Sequence, residues 1–432
     1  MHRIGVIADD FTGATDIATA YASAGFRTAV FIEDAVAREE AADADVLVVA
    51  LKTRTAPREE AVAASLDALR DLRRLGCERF YVKYCSTFDS TDEGNIGPIL
   101  DAAAAELGAA RTVVVPAYPD NGRTTYLGRL FVGDQLLEES PMREHPLTPM
   151  RRSRLRDLLS PQTGRAVGEV HLPAVHAGPE ALRAALDALP EGYAVIDAVE
   201  NADLRTIHRA TRDDLLVSGG AGLALGAAGG SGTAAGSGAD DAAGTSAAGE
   251  DASSGAAPVP PFPPLEGRSL VVCGSASSMT RAQVADAMRS HPTRALTVDR
   301  LAEEAAAEVD DVAAWIAGAD RAAVPVVYSV ATAGDLRHDA AAAIEDALAE
   351  LARRAVAEGG VRHLIVAGGE TSGAVTKALG IGRLDIGPRI SPGVCWSRAR
   401  TRAGESIDIA LKSGNFGTED MFSSAWKELG EA

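Results

Sequence analysis

The sequence HRIGVIADDFTGATDIATAYASAG, at residues 2–25, decides the fold. It begins with HRIGVIA, an apolar run typical of a buried strand, and it ends with ATAYASAG, which is typical of a helix. The polar, glycine-containing stretch DDFTGATD separates the two. This order of strand, loop and helix predicts the first unit of an α/β fold.

Similar apolar runs recur through the first half of the chain and alternate with helical stretches. The helical stretches include residues 57–76 and 98–108. Such an alternation predicts a mostly parallel sheet with helices on both faces. The further predicted strands are VLVVA from Val46, RFYVKY from Arg79, RTVVVPA from Arg111, YAVIDAV from Tyr193 and DDLLVSGG from Asp213.

Residues 226–264 interrupt this pattern with a segment rich in Gly, Ala, Ser and Pro. Such a composition cannot bury a core, so we predict a flexible linker. A second α/β series begins after it with SLVVCGSAS at residues 269–277. We therefore predict a domain over residues 1–225 and another over residues 265–432, each a mostly parallel sheet flanked by helices, facing one another across a cleft.

Composition narrows the classes of partner. The 432 residues carry a formal net charge of −19, which argues against a nucleic-acid backbone or an anionic membrane. The four cysteines form no CxxC pair and no two histidines have metal-ligand spacing, so we predict no metal-ligating residues. No charged region followed by an apolar one stands at the N-terminus, and we expect a cytoplasmic protein.

Three strand-to-loop junctions in the second half carry small residues, at residues 274–277, 368–373 and 412–417. Glycines at the carboxyl end of a strand let the backbone approach phosphates, and the next helix offers free N–H groups. One such junction alone is typical of an ordinary tight turn, but three together favour a phosphate-rich ligand. None matches the GxxxxGK[ST] pattern, so the chain is not a P-loop NTPase.

The loop after the first strand carries two adjacent carboxylates, Asp9 and Asp10. Phosphoryl transfer from ATP needs a group that orients or deprotonates the acceptor hydroxyl, and acidic groups that help to hold Mg²⁺. We expect Asp10 or Asp9 to take the catalytic role. The alternative is that one of them only caps the following helix.

Other polar loops of the first half suit a polyhydroxylated acid. Residues 83–91 follow a predicted strand and contain several hydroxyls and Asp89. Arg54 and Lys83 could clamp a carboxylate, although each could equally be a structural ion-pair partner. The turn at residues 120–123 is expected to lean towards the same cleft.

Four long motifs resemble the four-carbon acid sugar kinase family. They are IADDFTGATDIA from Ile7, KYCSTFDSTDEGNIGP from Lys83, VAGGETSGAV from Val366 and LKSGNFGTEDMF from Leu411. The stretch NGRTTYLGRLFVGD from Asn121 is most similar to the 3-oxo-tetronate 4-kinase branch of that family. Apart from the linker, the resemblance runs from Ile4 to Phe422.

The resemblance implies an N-terminal domain that binds the sugar acid and a C-terminal domain that binds ATP with Mg²⁺. It implies transfer of the γ-phosphoryl group to the 4-hydroxyl of a 3-oxo-tetronate, with small molecules as the only ligands and a homo-oligomer left open. By the same resemblance, the nucleotide contacts are Ser275, Ser277, Gly368, Gly369, Glu370, Thr371 and Gly414.

Two other functions remain open at this point. A kinase for threonate or erythronate would share every motif, because no single residue identifies the C3 carbonyl of the substrate. A non-catalytic sugar-acid sensor would need no working nucleotide site, and the intact GGETSG and KSGNFG loops argue against it.

Overall fold

A computed structural model describes residues 3–32, 43–145, 148–228, 262–263, 265–332 and 340–429. The strands are β1 (Arg3–Ala8), β2 (Thr28–Ile32), β3 (Val46–Ala50), β4 (Cys77–Lys83), β5 (Arg111–Val115), β6 (Arg123–Tyr126), β7 (Arg129–Val132), β8 (Gln135–Leu136), β9 (Ala166–Val170), β10 (Gly192–Ile196), β11 (Leu216–Gly219), β12 (Arg268–Cys273), β13 (Thr293–Ala295), β14 (Val326–Tyr328), β15 (Val361–Ala367), β16 (Arg383–Ser391), β17 (Val394–Arg400) and β18 (Ser406–Lys412).

Helices cover the faces of the sheet and separate most of its parallel strands. They are α1 (Phe11–Ser23), α2 (Arg58–Arg74), α3 (Ile96–Leu107), α4 (Leu155–Leu159), α5 (Leu172–His176), α6 (Pro179–Asp187), α7 (Asn201–Ala210), α8 (Gly222–Leu225), α9 (Ser278–Ala287), α10 (Val298–Gly318), α11 (Ala341–Ala357), α12 (Gly369–Leu379) and α13 (Met421–Ser424).

The first half forms a parallel sheet in the order β2-β3-β1-β4-β11-β5-β10-β9. β1 lies between β3 and β4, and its residues from Ile4 onward are buried because helices cover both faces. The predicted α/β class is confirmed here, since each apolar run singled out in this half is a strand. The strands β6, β7 and β8 form a small separate antiparallel sheet.

In the second half, β13, β14, β12, β15 and β18 are parallel neighbours, so their carboxyl ends lie at one edge. The strands β17 and β16 continue this sheet in antiparallel fashion. The predicted mostly parallel sheet is therefore present in this half as well, with a β-hairpin at its end.

That hairpin joins the two halves into one sheet of 15 strands. β16 pairs antiparallel with β2 of the first half, and Leu384 lies opposite Val30. Three antiparallel pairings in a row separate β2 from β18, so the parallel strands of the two halves run in opposite directions. The register shifts twice along β16, and such irregularities bend a strand.

Most of the predicted linker, residues 226–264, lies outside the described residues. The described residues near its two ends pack against the rest of the protein. Ala227 is buried, and the Phe262 ring lies 4.5 Å from the Arg398 guanidinium on β17. Among the helices that the structure describes, none is both long and apolar enough to cross a bilayer.

Candidate active site

A cavity of about 200 Å³ lies where loops of the two halves meet. The first half contributes the loops after β1, β3 and β4, which are neighbouring parallel strands whose carboxyl ends share one edge. The second half contributes the loop after β18. The lining residues are Asp10, Thr12, Gly13, Asp16, Arg54, Lys83, Cys85, Ser86, Thr87, Asp89, Arg123, Met142, His145, Ser413, Asn415 and Phe416.

The two predicted catalytic aspartates are held by one arginine. Arg54 Nε and Nη2 donate to the two oxygens of Asp9, each over 2.8 Å. Arg54 Nη1 lies 2.8 Å from Asp10 Oδ2, and Gly13 N donates to Asp10 Oδ1 over 2.6 Å. Asp10 is thus also the N-cap of α1, as the alternative interpretation of the sequence expected.

Charge around Asp10 favours its ionised form. Burial alone would raise the pKa of this carboxyl, but the nearby Arg54 and Lys83 charges and the Gly13 N–H outweigh it and lower the pKa below the usual value. The pKa of Arg54 is raised even though its burial acts in the other direction, because Asp10 and Asp9 surround it. Three N–H groups of Arg54 therefore contact the aspartates. The predicted contact of Arg54 with a substrate carboxylate would have to use its two remaining N–H groups.

Lys83, the last residue of β4, is the second predicted carboxylate contact. Its side chain is 2% exposed and lines the cavity. Over the described ranges, its ammonium has no hydrogen-bond or ion-pair partner. A Cβ atom on Gly13 would overlap Asp10 Oδ1 and lie 2.8 Å from Lys83 Nζ, so only glycine at this position leaves room for both groups.

The loop after β4 carries the third predicted substrate contact, Asp89. Thr87 Oγ1 donates to Asp89 Oδ1 over 2.5 Å, and Asp89 Oδ2 lies 3.9 Å from Arg54 Nη1. Phe88 between them has φ of 52°, a left-handed conformation that is rare for a bulky residue and is common at functional sites. Burial raises the pKa of Cys85 to about 12, so this thiol is unsuited to nucleophilic attack.

The predicted nucleotide residues lie at the carboxyl ends of β12, β15 and β18, which are adjacent strands. A Cβ atom on Gly414 would overlap Ser275 Oγ and lie 2.9 Å from Ser277 Oγ, so two of these loops are in close contact. Ser277 accepts from Thr280 N as the N-cap of α9.

The third of these loops, which follows β15, lies against the loop after β12 at Gly368. This residue has φ of 128°, which favours glycine, and a Cβ atom on it would lie 2.9 Å from Thr371 Oγ1 and 3.2 Å from Ser275 N. Gly369 opens α12 and lies near Thr12 of the first half, since its Cβ position is 3.9 Å from Thr12 Oγ1.

Glu370 differs from the other predicted nucleotide residues because its carboxylate points to the first half. Its Oε2 lies 3.2 Å from Lys52 Nζ, and both side chains are exposed. The two residues line a separate cavity of about 770 Å³ between α1, α11 and α12.

A buried lysine, Lys412, lies under the loop that contains Gly414. Its Nζ donates to Thr280 Oγ1 over 2.9 Å and to the Gly414 carbonyl over 3.0 Å. Burial lowers the pKa of this ammonium to about 8. Lys412 therefore holds this loop in place by linking the Gly414 carbonyl to Thr280 of α9.

Sequence reasoning missed Asp16 as a lining residue of the cavity. It lies within α1, one to two turns after Asp10, and is 4% exposed. A helix that is buried along most of its length normally carries small or apolar residues, so a carboxylate inside ATDIA was the available signal. The predicted turn at residues 120–123 does reach the cavity through Arg123.

The carboxylates of this site do not form a ready-made cage for Mg²⁺. Both oxygens of Asp9 are bonded to Arg54, and the carboxylates that line the cavity are those of Asp10, Asp16 and Asp89. That set fits an ion that is held mainly by phosphates and water with one or two protein carboxylates. His176, Glu200 and Asp203 form another group with metal-ligand spacing among the described residues, and they do not line the cavity.

Two different family models match the two halves of the chain. The family model of a sugar-binding N-terminal domain matches residues 4–227, and that of a nucleotide-binding C-terminal domain matches residues 270–422. The 3-oxo-tetronate kinase of Brucella melitensis is 44% identical over 98% of this chain and 95% of its own length. The 3-oxo-tetronate kinase of Salmonella typhimurium is 42% identical over 99% of this chain and 100% of its own length.

Two solved structures are similar to nearly the whole chain. A Salmonella typhimurium LT2 protein is 41% identical with a TM-score of 0.86, over 99% of this chain and 100% of the other. A Haemophilus influenzae protein is 37% identical with a TM-score of 0.77, over 98% of this chain and 100% of the other.

Proposed function

This chain belongs to the four-carbon acid sugar kinase family and, within it, to the 3-oxo-tetronate kinases, and on that premise we propose that it transfers the γ-phosphoryl group of ATP to the 4-hydroxyl of 3-oxo-tetronate. Beyond family membership, we propose that O4 is the phosphorylated position, that Mg²⁺ is required and that the residues named below act in the reaction. We also expect the enzyme to work in the cytoplasm.

The observation that carries the proposal is the ammonium of Lys83, which no described residue bonds, in a cavity shared by both halves. Its charge acts on the nearby carboxyls of Asp10 and Asp16, but its N–H groups bond to none of the described residues, and a buried donor without an acceptor costs stability until a ligand accepts from it. A small carboxylate would do so. The cavity, at about 200 Å³, is below the range of about 300–1,000 Å³ that drug-sized ligands occupy, which suits a four-carbon acid.

The other polar groups of the cavity fit the rest of such a substrate. Thr87 and Asp89 offer a hydroxyl and a carboxylate oxygen to the hydroxyl groups of the acid. Arg54 keeps Asp9 and Asp10 in place, and its remaining N–H groups could add to the binding of the substrate carboxylate. Asp10 would orient the acceptor hydroxyl from the head of α1.

ATP is proposed to bind the loops that surround Gly414, with Ser275, Ser277, Gly368, Gly369 and Thr371 as its neighbours. Backbone N–H groups at the start of α9 and α12 are suited to phosphate oxygens. Because Ser413 and Asn415 line the substrate cavity, a γ-phosphate held by this loop would lie on the same cavity as the acid. Mg²⁺ would neutralise phosphate charge there, with Asp10 or Asp89 as its protein carboxylate.

Catalysis by this arrangement would come mainly from positioning and charge neutralisation. Lys83 would fix the carboxylate end of the acid, and the loop around Gly414 would present the phosphoryl group to the other end. The proposed nucleotide contact Glu370 would link the halves through Lys52 when they enclose the reactants.

A substrate panel tests the proposal. Purified protein is assayed for ADP formation with ATP and Mg²⁺ and with 3-oxo-tetronate, threonate or erythronate as acceptor. We expect the highest kcat/KM with 3-oxo-tetronate, a phosphate on O4 of the product by ³¹P and ¹H NMR, and loss of turnover with EDTA. A higher kcat/KM with threonate or erythronate would reject the 3-oxo acid as the substrate, and a thermal shift with ATP–Mg²⁺ but no turnover would indicate a sensor.

A further inference from the structure

Asp16 is a buried carboxylate that accepts no hydrogen bond from the residues that the structure describes. Its side chain is 4% exposed, and its Oδ1 has no hydrogen-bond partner. Nor does the described part of the chain supply a hydrogen bond or an ion pair to its other oxygen. Asp16 also lines the cavity in which the acid is proposed to bind.

A structural aspartate in the same half of the molecule has a different environment. Asp197 is also buried, but its oxygens accept from the backbone N–H groups of Leu127 and Gly128, each over 2.9 Å. Those bonds hold the β6–β7 turn. Because an unbonded buried carboxylate costs stability, Asp16 makes no such structural contribution and is retained at a net cost to the fold.

Charged and titratable groups face Asp16 from several elements. Positive charge comes from β4, β6 and β16, and negative charge comes from the head of its own helix. Neutral phenols and a thiol complete the surroundings. The groups are Lys83, Arg123, Arg389, Asp10, Tyr81, Tyr118 and Cys395.

We propose that Asp16 is the catalytic base that accepts the proton of the acceptor hydroxyl during phosphoryl transfer. This inference rests on the proposed function, because it concerns the same reaction in the same cavity. The O–H bond of the 4-hydroxyl breaks and its proton goes to Asp16. The oxygen bonds to the γ-phosphorus, the bond from that phosphorus to the β-bridging oxygen breaks, and ADP leaves with that electron pair. Asp16 then releases the proton to water.

Geometry favours Asp16 over the two aspartates at the head of α1. Both oxygens of Asp9 and one oxygen of Asp10 are in contact with Arg54, and the other oxygen of Asp10 accepts from Gly13 N. Asp16 accepts from none of the described residues, so its oxygens can accept from a ligand. Asp16 also borders the nucleotide half, because a Cβ atom on Gly393 would lie 2.8 Å from Asp16 Oδ1 and 2.5 Å from the Phe416 ring.

The acidity of Asp16 and Asp10 agrees with this choice, and Asp9, whose pKa burial also raises, has both oxygens bonded to Arg54. Burial raises the pKa of Asp16 to about 6, although the Lys83 charge acts against it. The pKa of Asp10 is lowered. A base works best when its pKa lies near the pH of the reaction, so Asp16 is better matched to neutral pH.

The test compares Asp16→Asn with wild type and with Asp203→Asn, a variant that also removes a buried carboxylate but lies on α7 and does not line the cavity. We expect Asp16→Asn to lower kcat by about 10²–10⁴-fold, with KM for 3-oxo-tetronate within threefold and ADP affinity unchanged. Asp203→Asn should keep kcat per folded molecule within threefold. Turnover by Asp16→Asn within threefold of wild type would overturn the assignment of the base.

The pH profile gives a second measurement, and its wild-type part does not depend on the folding of the variant. Wild-type kcat should fall on the acid side with an apparent pKa near 6, and Asp16→Asn should lack that limb. A wild-type kcat that is flat between pH 5 and 8 would also overturn the assignment. If wild type itself turns over no tetronate, the proposed function fails; if wild type is active and Asp16→Asn is equally active, only the role of Asp16 fails.

Discussion

Arg54 binds Asp9 through two parallel N–H···O bonds of 2.8 Å each, and the same guanidinium reaches Asp10. All three side chains are largely buried at the carboxyl edge of the sheet. The pair therefore links the loop after β3 to the loop after β1. Its geometry uses the fork shape of a guanidinium, which an ammonium does not reproduce.

Replacement of Arg54 by lysine tests that link. Arg54→Lys keeps the charge but loses the paired bonds, so both aspartates should shift and kcat should fall at least tenfold. The free energy of unfolding should fall by about 1–3 kcal/mol, because buried carboxylate oxygens lose hydrogen bonds from the guanidinium. Kinetics and urea unfolding measure the two effects. The exposed pair of Arg70 and Glu106 supplies the control, because Arg70→Lys should leave both kcat and the urea midpoint of unfolding unchanged.

Replacement of Gly13 by alanine tests the crowding between Asp10 and Lys83. The added methyl group would overlap Asp10 Oδ1 and lie 2.8 Å from Lys83 Nζ. We expect kcat/KM for the acid to fall more than tenfold and stability to fall by about 1–3 kcal/mol, as in overpacked sites. Gly164→Ala is the matched control, since a Cβ atom there meets nothing within 4 Å. Equal kinetics for the two variants would contradict the close packing described here.

Replacement of Lys83 by methionine removes the proposed carboxylate contact. We expect KM for 3-oxo-tetronate to rise at least tenfold while KM for ATP stays within twofold. The Lys83 charge lowers the pKa of Asp16, so its loss should move the acid limb of the kcat profile above pH 6. Steady-state kinetics between pH 5 and 9 measure both changes. An unchanged KM for the acid would show that another group binds the carboxylate.

The sequence predicted the features that follow from local pattern. Apolar runs such as Val46–Ala50 are strands, and the loops after them lie at one edge as parallel strands require. The hairpin β16–β17 was not predicted, because the burial along Arg383–Ser391 is irregular and follows no period of two. Without that hairpin nothing in the sequence indicated that the two sheets are continuous.

Most residues of the site were predicted from the sequence, but their contacts and Asp16 were not. Asp9, Asp10, Arg54, Lys83 and Asp89 are brought together because each follows a strand of one parallel sheet. Their partners could not be predicted, since the bonds between Arg54 and the aspartates join residues about 45 positions apart. Asp16 was missed because it lies inside a helix, where only the tertiary structure shows which face meets the cavity.

Replacement of Gly414 by alanine tests the nucleotide loop separately from the acid site. The added methyl group would overlap Ser275 Oγ and lie 2.9 Å from Ser277 Oγ, so these proposed nucleotide contacts or the loop itself must shift. We expect KM for ATP to rise at least tenfold with KM for the acid within twofold. Gly318→Ala, where a Cβ atom meets nothing within 4 Å, should leave both values unchanged. A rise in KM for the acid alone would place Gly414 in the acid site instead.

The stability of Asp16→Asn should depend on pH in a direction opposite to that of a salt-bridged aspartate. Burial raises the pKa of Asp16 from 3.8 to about 6, so the folded state binds the proton more tightly than the unfolded state does. Protonated Asp16 therefore favours folding below pH 4, and this advantage is lost as the pH rises through 6. Asparagine carries no charge at any of these pH values. Asp16→Asn should thus match wild type near pH 4 and be more stable at pH 8, by up to about 3 kcal/mol. Urea unfolding at both pH values measures the difference. If the variant were less stable than wild type at pH 8, the carboxylate would have a structural partner, and the reason for regarding Asp16 as free to take a substrate proton would disappear.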